Sequence, residues 1–295
     1  MDYLMHILIL IGIYIVLSVS LNLVAGYTGL LSVAHAGFWG VGAYVAALMA
    51  LRLQTPFLAN VICAAALSAL AGALVGLPSL KLREDCFIIS AFAFQVIVFS
   101  VFNNWVSLTG GPVGLAGVPQ PTVLGVEISS RPRFLILVSA LCALTLWVVR
   151  RIVQSAAGRL LKAIREDEVF AQASGKSVAA SKLLVLVVGA GLAGVAGAMY
   201  AHYFTFIDPS SFTVMESIFI IAIVIIGGAG SFWGPVFGAV VLVTLPELLR
   251  FLGLPSAVAA NIRQILYGGL LVVFMMWRPQ GLLGEYAFQK GGSER

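Results

Sequence analysis

The chain has 295 residues, 61% hydrophobic and only 10% charged, with mean hydropathy +1.05 and formal net charge +5. A soluble domain carries roughly 25% charged residues, and there is too little polar surface here to cover a water-exposed core, so a soluble fold is excluded. The apolar runs are continuous rather than alternating, which excludes a β-barrel, and the basic residues read as topology markers rather than as a nucleic-acid patch.

What remains is an all-α polytopic membrane protein, a single transmembrane domain over 1–295 with about nine (8–10) spans. In chain order the spans fall near 4–24, 35–51, 57–78, 86–102, 134–149, 183–206, 216–229, 235–251 and 259–277. The start, MDYLMHILIL, has no Lys or Arg and no small-residue cleavage site after it, so it reads as a retained first span. The segments 35–51 and 216–229 are short enough to be half-spans or broken helices. Cys63, Cys86 and Cys142 each sit in or beside an apolar run and read as small packing residues.

Two Gly-rich breaks interrupt the spans. The first is GYTGLLSVAHAGFWGVGA (26–43), with Gly26, Gly29 and Gly37; the second is GGAGSFWGPVFGA (227–239), with Gly228, Gly230 and Gly234. Both run through Ala-Gly, then Phe-Trp-Gly, then Gly-Ala, a degenerate internal repeat. Such interruptions serve either close helix packing or the irregular backbone beside a transporter's cavity. Small residues every three or four positions over 189–201 read as helix packing. The loop 103–133, with TGGPVGLAGVPQP at its centre, is too rich in Gly and Pro for regular structure and is long enough to be functional.

Residues 150–182 are the one long charged stretch. Ten charged residues gather there: Arg150, Arg151, Arg159, Lys162, Arg165, Glu166, Asp167, Glu168, Lys176 and Lys182. This segment must lie in water between two spans. With it placed in the cytoplasm, twelve basic residues fall inside and four outside, which puts the C-terminus in the cytoplasm, and the N-terminus and the 103–133 loop in the periplasm. Ser155 caps a short amphipathic helix running to Arg165; the acids Glu166, Asp167 and Glu168 open a second, and Gly175 ends it. The pair forms either a basic loop lying on anionic lipid or a docking knob for a cytoplasmic protein.

Enzyme chemistry finds no foothold. His6, His35 and His202 lie in spans or a break, and no HExxH, GxSxG or CxxC occurs. Gly175-Lys176-Ser177 resembles the end of a P-loop, but Phe170 stands where that motif needs its first Gly, so ATP would have to be bound by another subunit. No cofactor or metal is expected.

The stretch EVFAQASG (168–175) is similar to the E-A-A-x-x-x-G coupling loop of ABC importer permeases. Together with GRLLKAIREDE (158–168), TGGP (109–112), GAGSFWGP (228–235) and RPQGLLG (278–284), it makes nearly the whole chain resemble the M-type permease subunit of the branched-chain amino acid ABC importers. One departure is Phe170-Ala171, where the family more often has Ala-Ala. The resemblance implies a bacterial inner-membrane transporter subunit that is not itself an enzyme. It implies a homologous second permease, two ABC ATPase subunits and a periplasmic binding protein as partners. Arg159, Arg165, Glu166, Asp167, Glu168, Ala171 and Gly175 would form the contact with the ATPases. The polar residues Asn22, Ser32, His35, Gln95 and Ser231, near the breaks, are candidates for the translocation pathway; Glu216, Glu247 and Arg263, near span ends, read first as pairing residues. A urea or short-amide importer of the same family, and an ATP-independent channel or carrier, are the alternatives.

Overall fold

The computed structural model describes residues 2–79, 84–123, 126–128 and 130–250, with short pieces at 268–269, 272–273, 276 and 281–283. Eight of the nine expected spans have helical counterparts there. They are α1 (Asp2–Leu21, prolonged by a π turn over Asn22–Gly26), α2 (His35–Arg52), α3 (Phe57–Ser79), α4 (Glu84–Asn104), α6 (Arg131–Gln154), α9 (Val178–Phe204), α10 (Val214–Gly227) and α11 (Gly234–Arg250). The ninth, 259–277, lies almost wholly outside the described residues. Among the described residues, α1 with its π turn, α3, α4, α6 and α9 are long and apolar enough to cross a bilayer.

The interior is built on α2 and α9, which pack on each other and on α3, while α1 seals one side. Between hydrocarbon and helix there is no hydrophobic gain to drive association, so close backbone approach has to supply it. Gly194 does so: a Cβ there would lie 2.5 Å from the Ala64 carbonyl, and one on Gly42 would lie 2.4 Å from the Gly194 Cα. The small-residue run over 189–201 is thus a packing face. The Ser68 hydroxyl adds a tie from α3 to the Phe38 carbonyl of α2 at 2.9 Å. Outward faces keep their large apolar residues exposed, as Leu58, Ile62, Leu70 and Leu74 do on α3 and Ile89, Phe92 and Ile97 on α4. That is the expected surface of a helix facing lipid.

The N-terminus lies at the end of the bundle opposite residues 155–177. His6 Nδ1 stands 2.6 Å from Tyr203 Oη near the end of α9, and Arg131 at the start of α6 reaches Asp2 at 3.8 Å. At this end the 103–133 loop is more regular than its composition suggests. It holds helix α5 (Val106–Thr109), a 3-10 turn (Gly111–Val113) and strands β1 (Leu115–Ala116), β2 (Thr122–Val123) and β3 (Val126–Glu127). Strand β1 pairs antiparallel with β4 (Phe206–Ile207), and β2 with β3. The side chains supply what Gly and Pro withhold. Thr109 donates to the Phe102 carbonyl at 2.7 Å, and His202 Nδ1–H donates to the Pro119 carbonyl at 2.8 Å while its Nε2 accepts from Asn60 at 3.2 Å.

α10 is a half-span. The chain leaves α9, turns back into the bundle through β4 and a 3-10 turn (Pro209–Phe212), and starts α10 at mid-depth. Two contacts fix that depth: Gln95, half way along α4, donates to the Phe212 carbonyl at 2.8 Å, and Tyr14, half way along α1, donates to Glu216 at 3.1 Å. The segment between α9 and α10 therefore starts on the outer loop, where β4 pairs with β1 and Phe206 and Ser210 stay exposed, and ends inside the bundle, with Phe212 wedged among Trp39, Tyr44, Tyr200 and Phe102. α2, by contrast, is a full 18-residue helix, weakly apolar because it is enclosed by other helices rather than lipid.

The crossing at Gly194 sets a steep volume limit. Gly194→Leu is expected to cost about 3 kcal/mol or more through overpacking and to lower the melting midpoint of the detergent-purified chain by about 5 °C or more. Leu70→Ala, on the outward face of α3, is expected to leave it nearly unchanged. Equal midpoints for the two variants would contradict the close crossing.

Candidate functional site

Two features stand out: a pair of helix breaks deep in the bundle, and a water-exposed knob at one end of it. The breaks are joined directly. After the π turn the helix continues through Tyr27 and Thr28 and residues 29–34 run without regular structure, yet Tyr27, Thr28, Leu30, Ser32 and Ala34 are all buried. Backbone that leaves a helix in an apolar medium must find partners elsewhere. Asn22 provides them across the chain: its Nδ2 donates to the Ser231 carbonyl at 2.8 Å, and its Oδ1 accepts from the Gly230 amide at 2.8 Å. Ser231 then bridges its own break, donating to the Gly228 carbonyl at 3.1 Å and accepting from the Gly234 amide at 2.8 Å. Leu282 and Leu283 donate to the Ile226 and Gly227 carbonyls at 2.8 and 3.1 Å, closing the end of α10. Gly26 admits no side chain, since a Cβ would meet the Gly230 amide nitrogen at 2.6 Å.

The other break glycines are distributed around this contact. Gly29, Gly228 and Gly230 have positive φ (78°, 115° and 82°), Gly37 lies in the first turn of α2 against Gln95, and Gly234 opens α11. The structure thus brings Asn22 and Ser231 together. Gln95 stands apart from them, tied to Phe212 and, at 3.5 Å, to the Ser217 hydroxyl, which accepts from the Ala36 amide at 3.0 Å. His35 Nε2 lies 2.7 Å from Ser20 Oγ, on the inner face of α1.

Four buried polar atoms have no hydrogen-bond partner among the described residues: Ser32 Oγ, His35 Nδ1, Trp39 Nε1 and Tyr44 Oη. All four belong to α2 and the segment that leads into it. His35 and Trp39, one turn apart, share a face of α2, and Ser32 lies in the irregular segment just before it. Unsatisfied buried groups are rare and call for a physical reason. Trp39 and Tyr44 carried no signal in the sequence, because aromatic residues in an apolar run read as packing. Glu216 also gains weight: it belongs to the first turn of a helix that starts at mid-depth, so its carboxylate is inside the bundle rather than at a span end.

The knob is two short helices, α7 (Ala156–Glu166) and α8 (Glu168–Ala173). Ser155 caps α7 by accepting from the Gly158 amide at 3.4 Å, and Asp167 caps α8 by accepting from the Phe170 amide at 2.8 Å. Glu166 thus ends α7 instead of opening α8. Gly175 terminates α8 with φ 75° in open space, the left-handed conformation that a Gly tolerates best. A small core of Ile164, Ala171 and Val178 holds the two helices against the start of α9.

An ion pair adds a second fixing: Lys182 Nζ reaches Glu168 Oε2 at 2.7 Å, with the Lys182 side chain 4% exposed and that of Glu168 35%. Lys182, the last charge of the polar stretch by sequence, is buried. Arg159, Glu166 and Asp167 face water, while Arg165 turns inward and donates from Nη1 to the Gly26 carbonyl. The tip presents Val169 and Phe170, 75% and 69% exposed.

Among the described residues, no reacting constellation surrounds the histidines. His6 meets Tyr203, His35 meets Ser20, and His202 meets Asn60 and Pro119, each a tie between segments. What the arrangement can do is mechanical: a rigid exposed knob at one end, and a bracketed pair of helix breaks inside.

A family model described as "Branched-chain amino acid transport system / permease component" matches residues 3–275. The high-affinity branched-chain amino acid transport system permease protein LivM of Salmonella typhimurium is 37% identical over 92% of this chain and 68% of its own length. A probable LivM of Methanocaldococcus jannaschii is 26% identical over 96% and 94%, and the LivH permease protein of Salmonella typhimurium is 24% identical over 94% and 93%. No solved structure matches. A match over nearly the whole chain, on an integral membrane bundle of this kind, places the chain in the family of branched-chain amino acid transport system permease components.

Proposed function

We propose that the chain is one of two permease subunits of an ATP-driven importer that moves branched-chain or related hydrophobic amino acids into the cell. Its similarity to both LivM and LivH supports a heterodimer with a homologous second permease. Two ABC ATPase subunits and a periplasmic binding protein complete the assembly. The knob lies in the cytoplasm and the N-terminus in the periplasm.

The observation that carries this reading is the exposed apolar tip of α8 on a rigidly fixed base. Val169 and Phe170 enter a groove on an ATPase subunit; Arg159, Glu166 and Asp167 flank them, Glu168 and Ala171 fix α8 to its base, and Gly175 sets its end. ATP binding draws the ATPases together, displaces the knob and shifts the permease from outward- to inward-open, a two-state equilibrium biased by differential contacts. The pathway runs beside the breaks, past Asn22, Ser32, His35, Gln95 and Ser231. The unpartnered polar atoms on the α2 face support this placement, because a translocating ammonium or carboxylate needs a few polar partners in an otherwise apolar wall.

Two outcomes are expected. Phe170→Glu places a charge in the proposed groove without touching the bundle. Co-purification through a tag on this chain should then recover about tenfold less ATPase, the effect of losing a buried aromatic anchor. Full recovery together with normal import would remove the knob from the coupling interface.

Glu168→Ala takes away the carboxylate that the buried Lys182 ammonium meets at 2.7 Å. The loss is expected to be about 1–3 kcal/mol, less than for a fully buried pair because solvent reaches Glu168. It should appear as faster proteolysis within 168–177, and the double change Glu168→Leu, Lys182→Met should reverse it. Unchanged proteolysis of the single variant would mean the pair does not hold α8.

A further inference from the structure

We infer that Arg165 is the positioning residue that carries motion of the knob to both helix breaks, rather than a contact with the ATPases. The inference rests on the proposed docking of ATPases at the α8 tip. Arg159, Lys162 and Arg165 recur every three residues along α7, yet they divide in direction. Arg159 faces water, whereas the other two turn onto the carboxyl end of α1. Arg165 donates from Nη1 to the Gly26 carbonyl, and a Cβ at Gly29 would lie 3.7 Å from its Cγ, so the stem runs along the first break. Lys162 Nζ stands 5.9 Å over the ring of the buried Tyr27.

The site of attachment suits cations. The carboxyl end of a helix carries unsatisfied carbonyls and a partial negative charge. In α1 that end is a π turn, a geometry frequent at functional positions. Gly26 is also the residue whose backbone abuts Gly230 with no room for a Cβ, and Asn22, in the same turn, holds the Gly230 amide and the Ser231 carbonyl. A displacement of α7 along the Arg165–Gly26 bond therefore reaches the second break through one further contact. The rest of the knob is fixed elsewhere: the Glu168–Lys182 pair and the Ile164–Ala171–Val178 core tie it to α9. Arg165 and Lys162 tie it to α1. The knob is thus a lever between α9, which anchors it, and α1, which it moves.

The test uses the complete complex (both permeases, both ATPases and the binding protein) in proteoliposomes, reading import and ATP hydrolysis together. Arg165→Ala should keep the ATPases bound and hydrolysis within about twofold of wild type, while import per ATP falls about tenfold, the size expected when one element of a coupling route is cut. Arg165→Lys, which keeps charge and a donor, should recover part of that loss. A wild-type import-to-ATP ratio in Arg165→Ala overturns the inference. So does a parallel loss of assembly, hydrolysis and import in both variants, which makes Arg165 only a structural brace. Phe170→Glu separates the two readings: if it assembles and imports normally the docking proposal fails, whereas a normal Arg165→Ala beside a defective Phe170→Glu sinks only the lever.

Discussion

A helix cannot simply stop inside a bilayer. Each amide or carbonyl released from its ladder costs several kcal/mol in hydrocarbon unless another group takes it up. The rest of this structure depends on how Asn22 meets that constraint. Its amide side chain offers a donor and an acceptor a fixed distance apart, and both are used on the backbone of the opposite break, at Ser231 and Gly230. A hydroxyl can satisfy two groups only by rotating between roles, and a carboxylate would bring a charge. Asn22 brings neither problem. With that bracket in place, the backbone that leaves the helix after α1 and the backbone between α10 and α11 satisfy each other, while the Asp208–Ser211 segment before α10 satisfies itself. There Ser210 and Ser211 satisfy the Asp208 carboxylate locally.

The same economy shapes the interior pair of α2 and α9. Glycines bring the backbones together where hydrophobic association offers little, and the aromatic residues displaced from the crossing collect around Phe212. The bundle therefore has a dense, small-residue seam on one side of α2 and a bulky aromatic cluster at the level where α10 starts.

How far the sequence reveals this follows from which forces are local. The spans are legible because a bilayer fixes the length of any apolar helix. The knob is legible because capping and amphipathicity act over three or four residues: Ser155, Asp167 and Gly175 do in the structure what their identities indicate. The re-entrant entry to α10 is not legible. The stretch from Thr205 to Thr213 has the polarity of an outer loop and begins as one, paired with β1; only Gln95 and Tyr14, more than a hundred residues from the residues they hold, bring its far end to mid-depth. Asn22 and Ser231, separated by 209 positions, were both candidates by virtue of lying near breaks, yet nothing local to either says that they meet. The regularity of the 103–133 loop escapes notice for a related reason. Its strands pair with β4 or with each other in two-residue ladders too short to leave a pattern.

The tip of the knob bears on which surface it meets. A basic amphipathic loop lying on anionic lipid would turn its cations and its apolar residues to the same side. Here the cations nearest the bundle, Lys162 and Arg165, are engaged on α1, while the acids Glu166 and Asp167 stand exposed beside Val169 and Phe170. Anionic headgroups would repel those acids just where the apolar tip needed to insert. A protein groove has no such difficulty, because it can place donors opposite the acids and an apolar pocket opposite the ring. On the proposed docking, the exposed Phe170 ring would need a pocket wide enough for an aromatic side chain.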